Sequence, residues 1–197
     1  MNRIASLSGI LLALGAASVA SAGITITSSV EGYYNAIAGR GYLTAEFMGS
    51  AISAPDGGAG WNAWGADAPG GLWLSGSTLS TAMANDPLTI TFSSGEAGAV
   101  GGTFYLTDSS YSTVLSSLIE ITLSNGEMYL SESSQKNFAG FVADAGMFIS
   151  SITIKPFMPV AGGEYATVSS LMISGVPAPG SLALLGAAGL AARRKRR

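Results

Sequence analysis

Short segments with apolar residues at every second position recur along the middle of the chain, and they limit the fold more strongly than any other feature. The sequence reads Leu-Thr-Ile-Thr-Phe at 88–92 and Ile-Glu-Ile-Thr-Leu at 119–123. This alternation is typical of antiparallel strands that bury one face and leave the other in solvent. Asn125 and Gly126 follow the second segment, and their tolerance of positive φ angles predicts a hairpin with a type I′ turn before residues 127–130.

Further strands are predicted where β-branched and aromatic residues cluster between turn residues. They cover residues 24–30, 42–48, 103–107, 138–142, 148–154 and 165–173. No segment between the two ends of the chain has a convincing helical period, and the glycine-rich stretches 56–71 and 95–102 are interpreted as loops. About nine or ten strands without a helix predict an all-β fold, a single antiparallel β-sandwich or jelly roll.

The composition favours an exported β-protein over a cytosolic enzyme or a helical bundle. Only 11% of the residues are charged, whereas an average soluble domain has roughly 25%, and the chain contains 27 glycines. The surface of the domain must therefore be covered mainly by Ser, Thr, Asn and Gly, because Lys and Glu are too few to crowd it.

The charged and reactive residues exclude several classes of function. Between residues 23 and 175, three basic residues stand against twelve carboxylates, for a formal charge of −9. Such a domain repels phosphates, which excludes nucleic-acid binding. The chain has no Cys and no His, which removes disulfides, thiolate and imidazole chemistry and the usual zinc sites. Catalysis would require two carboxylates or a Ser with a Lys, and we expect no catalytic residues.

The first 22 residues have the three parts of a secretory signal peptide. Arg3 supplies the positive start and an apolar run follows it. This run is far shorter than the roughly 20 residues that span a bilayer, so it predicts a cleaved signal rather than an anchor. Ala20 and Ala22 provide the small side chains that a signal peptidase accepts before Gly23. The predicted mature domain therefore covers residues 23–175.

Residues 176–197 combine a proline motif, an apolar segment and a basic end. The proline motif consists of Val176, Pro177, Ala178, Pro179 and Gly180. The apolar segment 181–192 contains the leucines Leu182, Leu184, Leu185 and Leu190. As a helix it would be about 18 Å long, which is short for a bilayer core of about 30 Å. The stop-transfer cluster comprises Arg193, Arg194, Lys195, Arg196 and Arg197. These properties predict a weak inner-membrane anchor with its basic end in the cytoplasm, and an unrelated C-terminal anchor would share them.

This tail resembles the sorting signal of the PEP-CTERM family of bacterial surface proteins. Pro177 and Pro179 match its proline motif, whereas Ala178 stands where the family name records a Glu. The resemblance implies that an exosortase-type membrane protease removes the tail and passes the protein to the cell surface or extracellular matrix. Residues 100–173 also resemble a β-sandwich often found before this tail, although Ser169 and its neighbour stand where an Asp is expected in the last strand.

Three tryptophans are the main candidates for contact with a glycan. Trp61 and Trp64 lie in the first glycine-rich stretch, and Trp73 follows it. Two interpretations remain open for these residues and for Tyr33 and Tyr34. Their rings either pack against the end of the sandwich or stack on the sugars of an extracellular polysaccharide, and exposed, coplanar indoles would favour the second interpretation.

A calcium ion is the one cofactor that the sequence leaves open. Its candidate ligands are the loop carboxylates Asp56, Asp67 and Asp86, for which solvated loop acids are the alternative interpretation. The leading functional hypothesis is a noncatalytic protein of the cell envelope or extracellular matrix. A carbohydrate-binding module is the second hypothesis, and a glycoside-active enzyme is the third.

Overall fold

The computed structural model describes residues 23–38, 40, 42–44, 56–57, 63–75, 77–92, 97–144, 146–160 and 162–175. The predicted signal peptide, the predicted sorting tail and Trp61 lie outside these residues. The described residues form one helix, α1 Val30–Ala36, and thirteen strands. The strands are β1 Ile24–Thr27, β2 Tyr42–Thr44, β3 Asp56–Gly57, β4 Trp64–Asp67, β5 Leu72–Ser75, β6 Thr78–Thr81, β7 Leu88–Phe92, β8 Ala97–Thr107, β9 Leu118–Leu123, β10 Met128–Glu132, β11 Phe138–Ala143, β12 Ser151–Pro156 and β13 Tyr165–Gly175. Within this part of the chain, no helix is long and apolar enough to cross a membrane.

The strands form two antiparallel sheets. The first sheet has the order β1-β11-β8-β13-β6-β5. β6 pairs with the N-terminal half of β13, and β2 pairs with its C-terminal half. The second sheet has the order β10-β9-β12-β7-β4-β3. The prediction of an all-β, antiparallel domain is therefore confirmed, and the arrangement is that of a β-sandwich.

One continuous apolar core fills the space between the two sheets. In the second sheet, Ile90 of β7 lies opposite Ile152 of β12, and both side chains are fully buried. In the first sheet, the rings of Phe104 and Phe141 lie in the same core. Burying one such side chain contributes about 1.5–3 kcal/mol, so this core is the main source of stability. The predicted alternation explains it, because every second residue of these strands points inward.

A short helix covers part of the outer face of the first sheet, and the prediction of a domain without a helix is wrong. Ser29 caps α1 by accepting a backbone N–H of the first turn on its Oγ at 3.0 Å. Tyr33 is fully buried and packs edge-on against Phe138, with 5.7 Å between ring centroids. The strand predicted at 24–30 therefore ends at Thr27. Because α1 has only seven residues, its packing on the sheet must stabilise it.

Two glycines let the helix approach the sheet closely. Gly101 of β8 lies opposite Gly140 of β11. A Cβ atom would lie 2.6 Å from the Tyr33 ring at Gly140 and 3.1 Å from it at Gly101. The stretch 95–102 was expected to be a loop, but it is strand from Ala97 onward. Its glycines leave room for the helix rather than forming a turn.

The other glycine-rich stretch also contains strands that the sequence pattern did not reveal. β3 and β4 lie within residues 56–71, which were expected to be a loop, and β5 and β6 follow soon after. β4, β5 and β6 have four residues each, too few to show a periodic pattern. Of the segment predicted at 42–48, residues 42–44 form β2, and residues 45–48 lie outside the described part.

Several predicted strands are present with different ends. The prediction at 88–92 matches β7 in both bounds, whereas 103–107 is only the second half of β8. The strand predicted at 148–154 begins at Ser151, because Ile149 makes an isolated bridge to Ala97 of the other sheet.

The predicted hairpin joins β9 and β10, but its turn is of a different type. Gly126 has a φ of 88°, whereas Asn125 is not among the residues with positive φ. The Gly126 amide donates to the carbonyl of Leu123 at 2.9 Å, and the Leu123 amide donates to Glu127 O at 2.9 Å. This is a turn followed by a single left-handed glycine. The Oδ1 atom of Asn125 accepts the Glu127 amide at 3.0 Å, which holds the Asn side chain over the turn.

The first sheet places both ends of the domain side by side. Thr25 lies opposite Val142, Val142 opposite Ala99, and Ala99 opposite Ser174. The beginning of β1 and the end of β13 are therefore at one end of the sheet. β13 has eleven residues and extends roughly 30 Å to Tyr165 at the opposite end.

Candidate binding cleft

A cleft of about 300 Å³ opens at the end of the first sheet where β13 begins. It is lined by Trp73, Thr81, Ala82, Asp108, Ser109, Tyr111 and Tyr165. Its volume is at the lower end of the range found for small-molecule sites. Three separate parts of the chain form it: β5 with the end of β6, the loop after β8, and the start of β13.

Strand alternation turns Trp73 away from the core. Its neighbours Leu72 and Leu74 are buried, and Trp73 between them is half-buried on the outer face. Trp73 lies opposite Ser80 of β6, whose hydroxyl is 2.8 Å from the hydroxyl of Thr167 on β13. Beside the indole, buried hydroxyl groups of β6 and β13 are thus hydrogen-bonded to each other, which holds β6 on β13.

The loop after β8 brings Tyr111 against Trp73. Oδ1 of Asp108 accepts the amides of Ser110 and Ser112 at 2.8 and 3.0 Å, and the Tyr111 amide donates to the Asp108 carbonyl at 3.0 Å. These bonds hold Tyr111 at a φ of 61°, in the left-handed region that costs a bulky residue about 1 kcal/mol or more. The two rings stack with 5.7 Å between centroids and 24° between planes.

The result is an exposed tyrosine ring, stacked on an indole, beside oxygen atoms. Tyr111 is 51% exposed, and Tyr165, which is half-buried, also lines the cleft. No residue in the described part of the chain donates to Oδ2 of Asp108, which leaves that atom as an acceptor. Aromatic faces combined with a few acceptors and hydroxyls suit a ring-shaped ligand that is apolar on its faces and polar at its edge.

The three predicted tryptophans have different positions. Trp64 is only 4% exposed and belongs to the core between the sheets, so the packing interpretation is correct for it and it cannot present its indole to a glycan. Trp73 lies in the cleft. Trp61 is outside the described residues. Of the two tryptophans in the described part of the chain, Trp73 lies in the cleft, where its indole stacks on a tyrosine.

The adjacent tyrosines of α1 also differ in exposure. Tyr33 is buried among α1 and the first sheet, and burial raises the pKa of its phenol above the ordinary value. Its hydroxyl lies 3.5 Å from the carbonyl of Met172, at the limit of a hydrogen bond. Tyr34 is exposed, and its ring lies 5.1 Å from the ring of Tyr42. The packing interpretation therefore holds for Tyr33.

A second cleft, of about 270 Å³, lies between the edge strands β1 and β10. It is lined by Ile26, Leu123, Glu127, Met128, Tyr129 and Phe141. These residues are mainly apolar, with a single carboxylate.

Two buried carboxylates have structural partners. Glu164 is 1% exposed, and the hydroxyl of Ser117 donates to its Oε1. Its Oε2 has no hydrogen-bond partner among the residues that the structure describes. Glu120 on β9 forms an ion pair with Lys155 on β12, at 3.1 Å between Oε1 and Nζ.

Two of the candidate calcium ligands, Asp67 and Asp86, lie in the described part of the chain. Asp67 is exposed at the end of β4, and Oδ2 of Asp86 accepts the Gly70 amide at 2.6 Å. The side chain of Asp56 is outside the described part. Across the ranges that the structure covers, no three acidic side chains come together in a way that could hold a metal ion. Calcium binding stays a prediction.

The sequence did not point to Tyr111, Asp108 and Tyr165. The one local signal was Asp108 followed by two serines, a pattern typical of a turn in which the Asp side chain accepts backbone amides. Stacking of Tyr111 on Trp73 depends on the pairing order β8-β13-β6-β5. The chain matches no protein-family model, no curated protein and no solved structure.

Proposed function

We propose that the protein is an exported, noncatalytic structural or interaction protein of the cell envelope or extracellular matrix. Signal peptidase removes residues 1–22. The tail 176–197 holds the protein briefly in the inner membrane until an exosortase-type protease processes it. The β-sandwich is then the part displayed outside the cell. Tail composition and order support this sorting route, since a short apolar segment between prolines and five basic residues suits a temporary anchor.

The observation that carries the proposal is that both addressing segments connect to the same end of the sandwich. Gly23 precedes β1, and Gly175 ends β13 opposite Ala97 at that end of the first sheet. A domain tethered through Gly175 therefore directs its opposite end away from the membrane. The cleft with Trp73 and Tyr111 lies at that far end, roughly 30 Å along β13.

The surroundings of Gly23 support cleavage just before it. The Gly23 amide donates to Oδ2 of Asp144 at 2.9 Å, and the Asp144 amide donates to the Gly23 carbonyl at 3.1 Å. Cleavage would convert this amide into an ammonium group already beside a carboxylate. The pair is exposed, so it favours the processed chain only slightly.

The linings of the two clefts described above suit the binding of a ligand better than the hydrolysis of a glycosidic bond. Each is lined by one carboxylate, Asp108 in the first and Glu127 in the second. Glycoside hydrolysis needs two carboxyl groups about 5 to 9.5 Å apart across the bond that is cut. Nζ of Lys155, which a Ser–Lys mechanism would need beside a serine, forms an ion pair with Glu120.

Mass spectrometry of the protein recovered from the surface of its host tests both cuts in one measurement. We expect an N terminus at Gly23 and a C terminus within residues 176–180. Replacing Arg193–Arg197 with glutamines should mislocalise the protein, whereas replacing them with lysines should not, because anchoring needs the charge alone. An intact Met1 in exported material, or unchanged localisation of the glutamine variant, would contradict the proposal.

A carbohydrate-binding domain is the second candidate. The stacked Trp73–Tyr111 pair at the displayed end favours it. Binding of a sugar is compatible with a noncatalytic surface protein.

A further inference from the structure

We infer that the cleft formed by Trp73, Tyr111, Tyr165 and Asp108 binds an uncharged sugar ring of an extracellular polysaccharide. Export and sorting do not require this site, and the inference deepens the second candidate function by naming the site and the class of sugar. It uses the proposed export only to place the cleft outside the cell.

The first support is the exposed aromatic surface. Trp73 and Tyr111 are nearly parallel, at 24°, and 51% of Tyr111 is exposed to solvent. A pyranose ring has an apolar face of C–H groups, and it can cover a flat aromatic surface with little loss of side-chain entropy because the rings are already held in place.

The second support is that the loop holds Tyr111 at an energetic cost. Tyr111 has a positive φ, and three hydrogen bonds to Asp108 maintain the loop around it. An exposed tyrosine gains little stability from such a position, since its ring is only partly buried. Strained backbone that presents an exposed side chain indicates a functional role more often than a packing role.

The third support is the set of oxygen atoms around the aromatic surface. Oδ2 of Asp108 can accept a hydrogen bond, and Tyr165 and Ser109 line the same cleft. Sugar hydroxyls lie around the edge of the ring, where they can donate to a carboxylate while the ring face stacks. A cleft of about 300 Å³ suits one sugar unit of a chain rather than a long segment.

The negative charge of Asp108 and of the whole domain favours uncharged sugars over uronic acids. The carboxylate of Asp108 lies in the cleft, and the domain carries a formal charge of −9. A uronic acid would be repelled by this carboxylate, whereas an uncharged hexose would use it as a hydrogen-bond acceptor.

The ring geometry favours a sugar over a quaternary ammonium ligand. A cage for such a cation needs aromatic faces on different sides of it, each within about 6 Å of the charge. Trp73 and Tyr111 stack on each other at 5.7 Å, so no cation fits between them. The pair therefore forms a single wall of the cleft, and a cage would need Tyr165 as its second wall, which the choline probe below tests.

Saturation-transfer NMR tests the inference on the full chain. The protein is kept in a polyoxyethylene detergent, because alkyl glucosides would compete for the cleft. The probes are methyl β-glucoside, N-acetylglucosamine, glucuronate and choline. We expect saturation transfer to the ring C–H protons of one or both uncharged sugars, and none to glucuronate or choline.

Three variants locate the site. Tyr111→Ala should weaken binding of the uncharged sugar at least about fivefold, and Tyr111→Phe should retain it, because the ring rather than the hydroxyl stacks. Tyr42→Ala is the matched control, since Tyr42 is 52% exposed but lies on β2, outside the cleft. Asp108→Asn can still accept the loop amides on Oδ1, and it should raise binding of glucuronate relative to wild type.

Several outcomes would overturn the inference. They are no transfer to either uncharged sugar, stronger transfer to choline or glucuronate, and equal losses in the Tyr111→Ala and Tyr42→Ala variants. Thermal melts of each variant show whether a loss of binding reflects unfolding. Because binding is measured on purified protein, its failure would leave the sorting proposal intact, and failed sorting in cells would leave the binding result unchanged.

Discussion

The outer face of the first sheet has two aromatic regions, one buried and one exposed to solvent. At the end where β1 begins, α1 covers the sheet, and Tyr33 packs on Phe138 with both rings buried. At the end where β13 begins, Trp73 stacks on Tyr111 and the pair stays open to solvent. The same sheet thus uses aromatic side chains once for packing and once for a surface.

The covering element decides between these two roles. A helix of seven residues lies on the first region because glycines in β8 and β11 leave room for its ring. Over the second region the covering element is a single loop, and Tyr111 from that loop stacks on Trp73 while its own ring stays 51% exposed. Aromatic residues on a sheet are therefore not evidence of a ligand site until the covering element is known.

The largest expected effect on stability is at the first region, which α1 covers and which is called the covered region below. Tyr33→Ala removes a fully buried ring and should lower the free energy of unfolding by about 3 to 5 kcal/mol. Tyr34→Ala, at an exposed position on the same helix, should change it by less than about 1 kcal/mol. Chemical denaturation of both variants measures the difference, and equal losses would mean that the helix does not dock as described.

Gly140→Ala should lower stability by about 1 to 3 kcal/mol, because its Cβ would lie against the Thr27 hydroxyl and 2.6 Å from the Tyr33 ring. The same change made in a Tyr33→Ala background should cost less, since one of these two obstructing groups is then gone. Denaturation midpoints of the single and double variants measure this coupling. Strictly additive losses would show that the Tyr33 ring does not contribute to the cost, which would then come from the Thr27 contact.

The next largest effect is a loss of folding stability at alkaline pH, through Tyr33 in the covered region. Burial raises the pKa of Tyr33 in the folded protein, whereas the unfolded chain has the ordinary value of about 10. The unfolded state therefore loses its proton first, so stability is full below about pH 10 and decreases above it. Between about pH 9 and about pH 11 we expect a loss on the order of 1 kcal/mol from this group.

Denaturation curves of Tyr33→Phe give the control for the alkaline effect. This variant should lose less stability over the same pH interval. A smaller loss should remain, because burial also raises the pKa of Tyr105. An unchanged pH dependence in the variant would assign the effect to other groups.

The smallest effect on stability is expected at the second region, where Trp73 and Tyr111 are open to solvent. Tyr111→Ala should change the free energy of unfolding by no more than about 0.5 kcal/mol, because the ring is half in solvent. Differential scanning calorimetry can detect the difference from Tyr33→Ala. A loss as large as that of Tyr33→Ala would show that Tyr111 is a packing residue, and the two regions would then be alike.

Much of the fold could be predicted from local pattern. β7, β9 and β11 alternate or run apolar over five or six residues between turns, and the sequence reveals them with bounds correct to about a residue. β4, β5 and β6 are too short to show a period, and the glycines of β8 resemble a loop until the helix above them is seen. Of the cleft, only Trp73 was predicted.

The sequence alone determined the antiparallel β-architecture, the acidic character of the domain, the lack of His and Cys and the order of its end segments. These follow from residue type and spacing between neighbours. Only the tertiary structure decided that Trp64 is buried and Trp73 is not, and that Tyr111 joins Trp73. Exposure of an aromatic ring depends on which strands pair and what covers them, and those contacts join residues far apart in the chain.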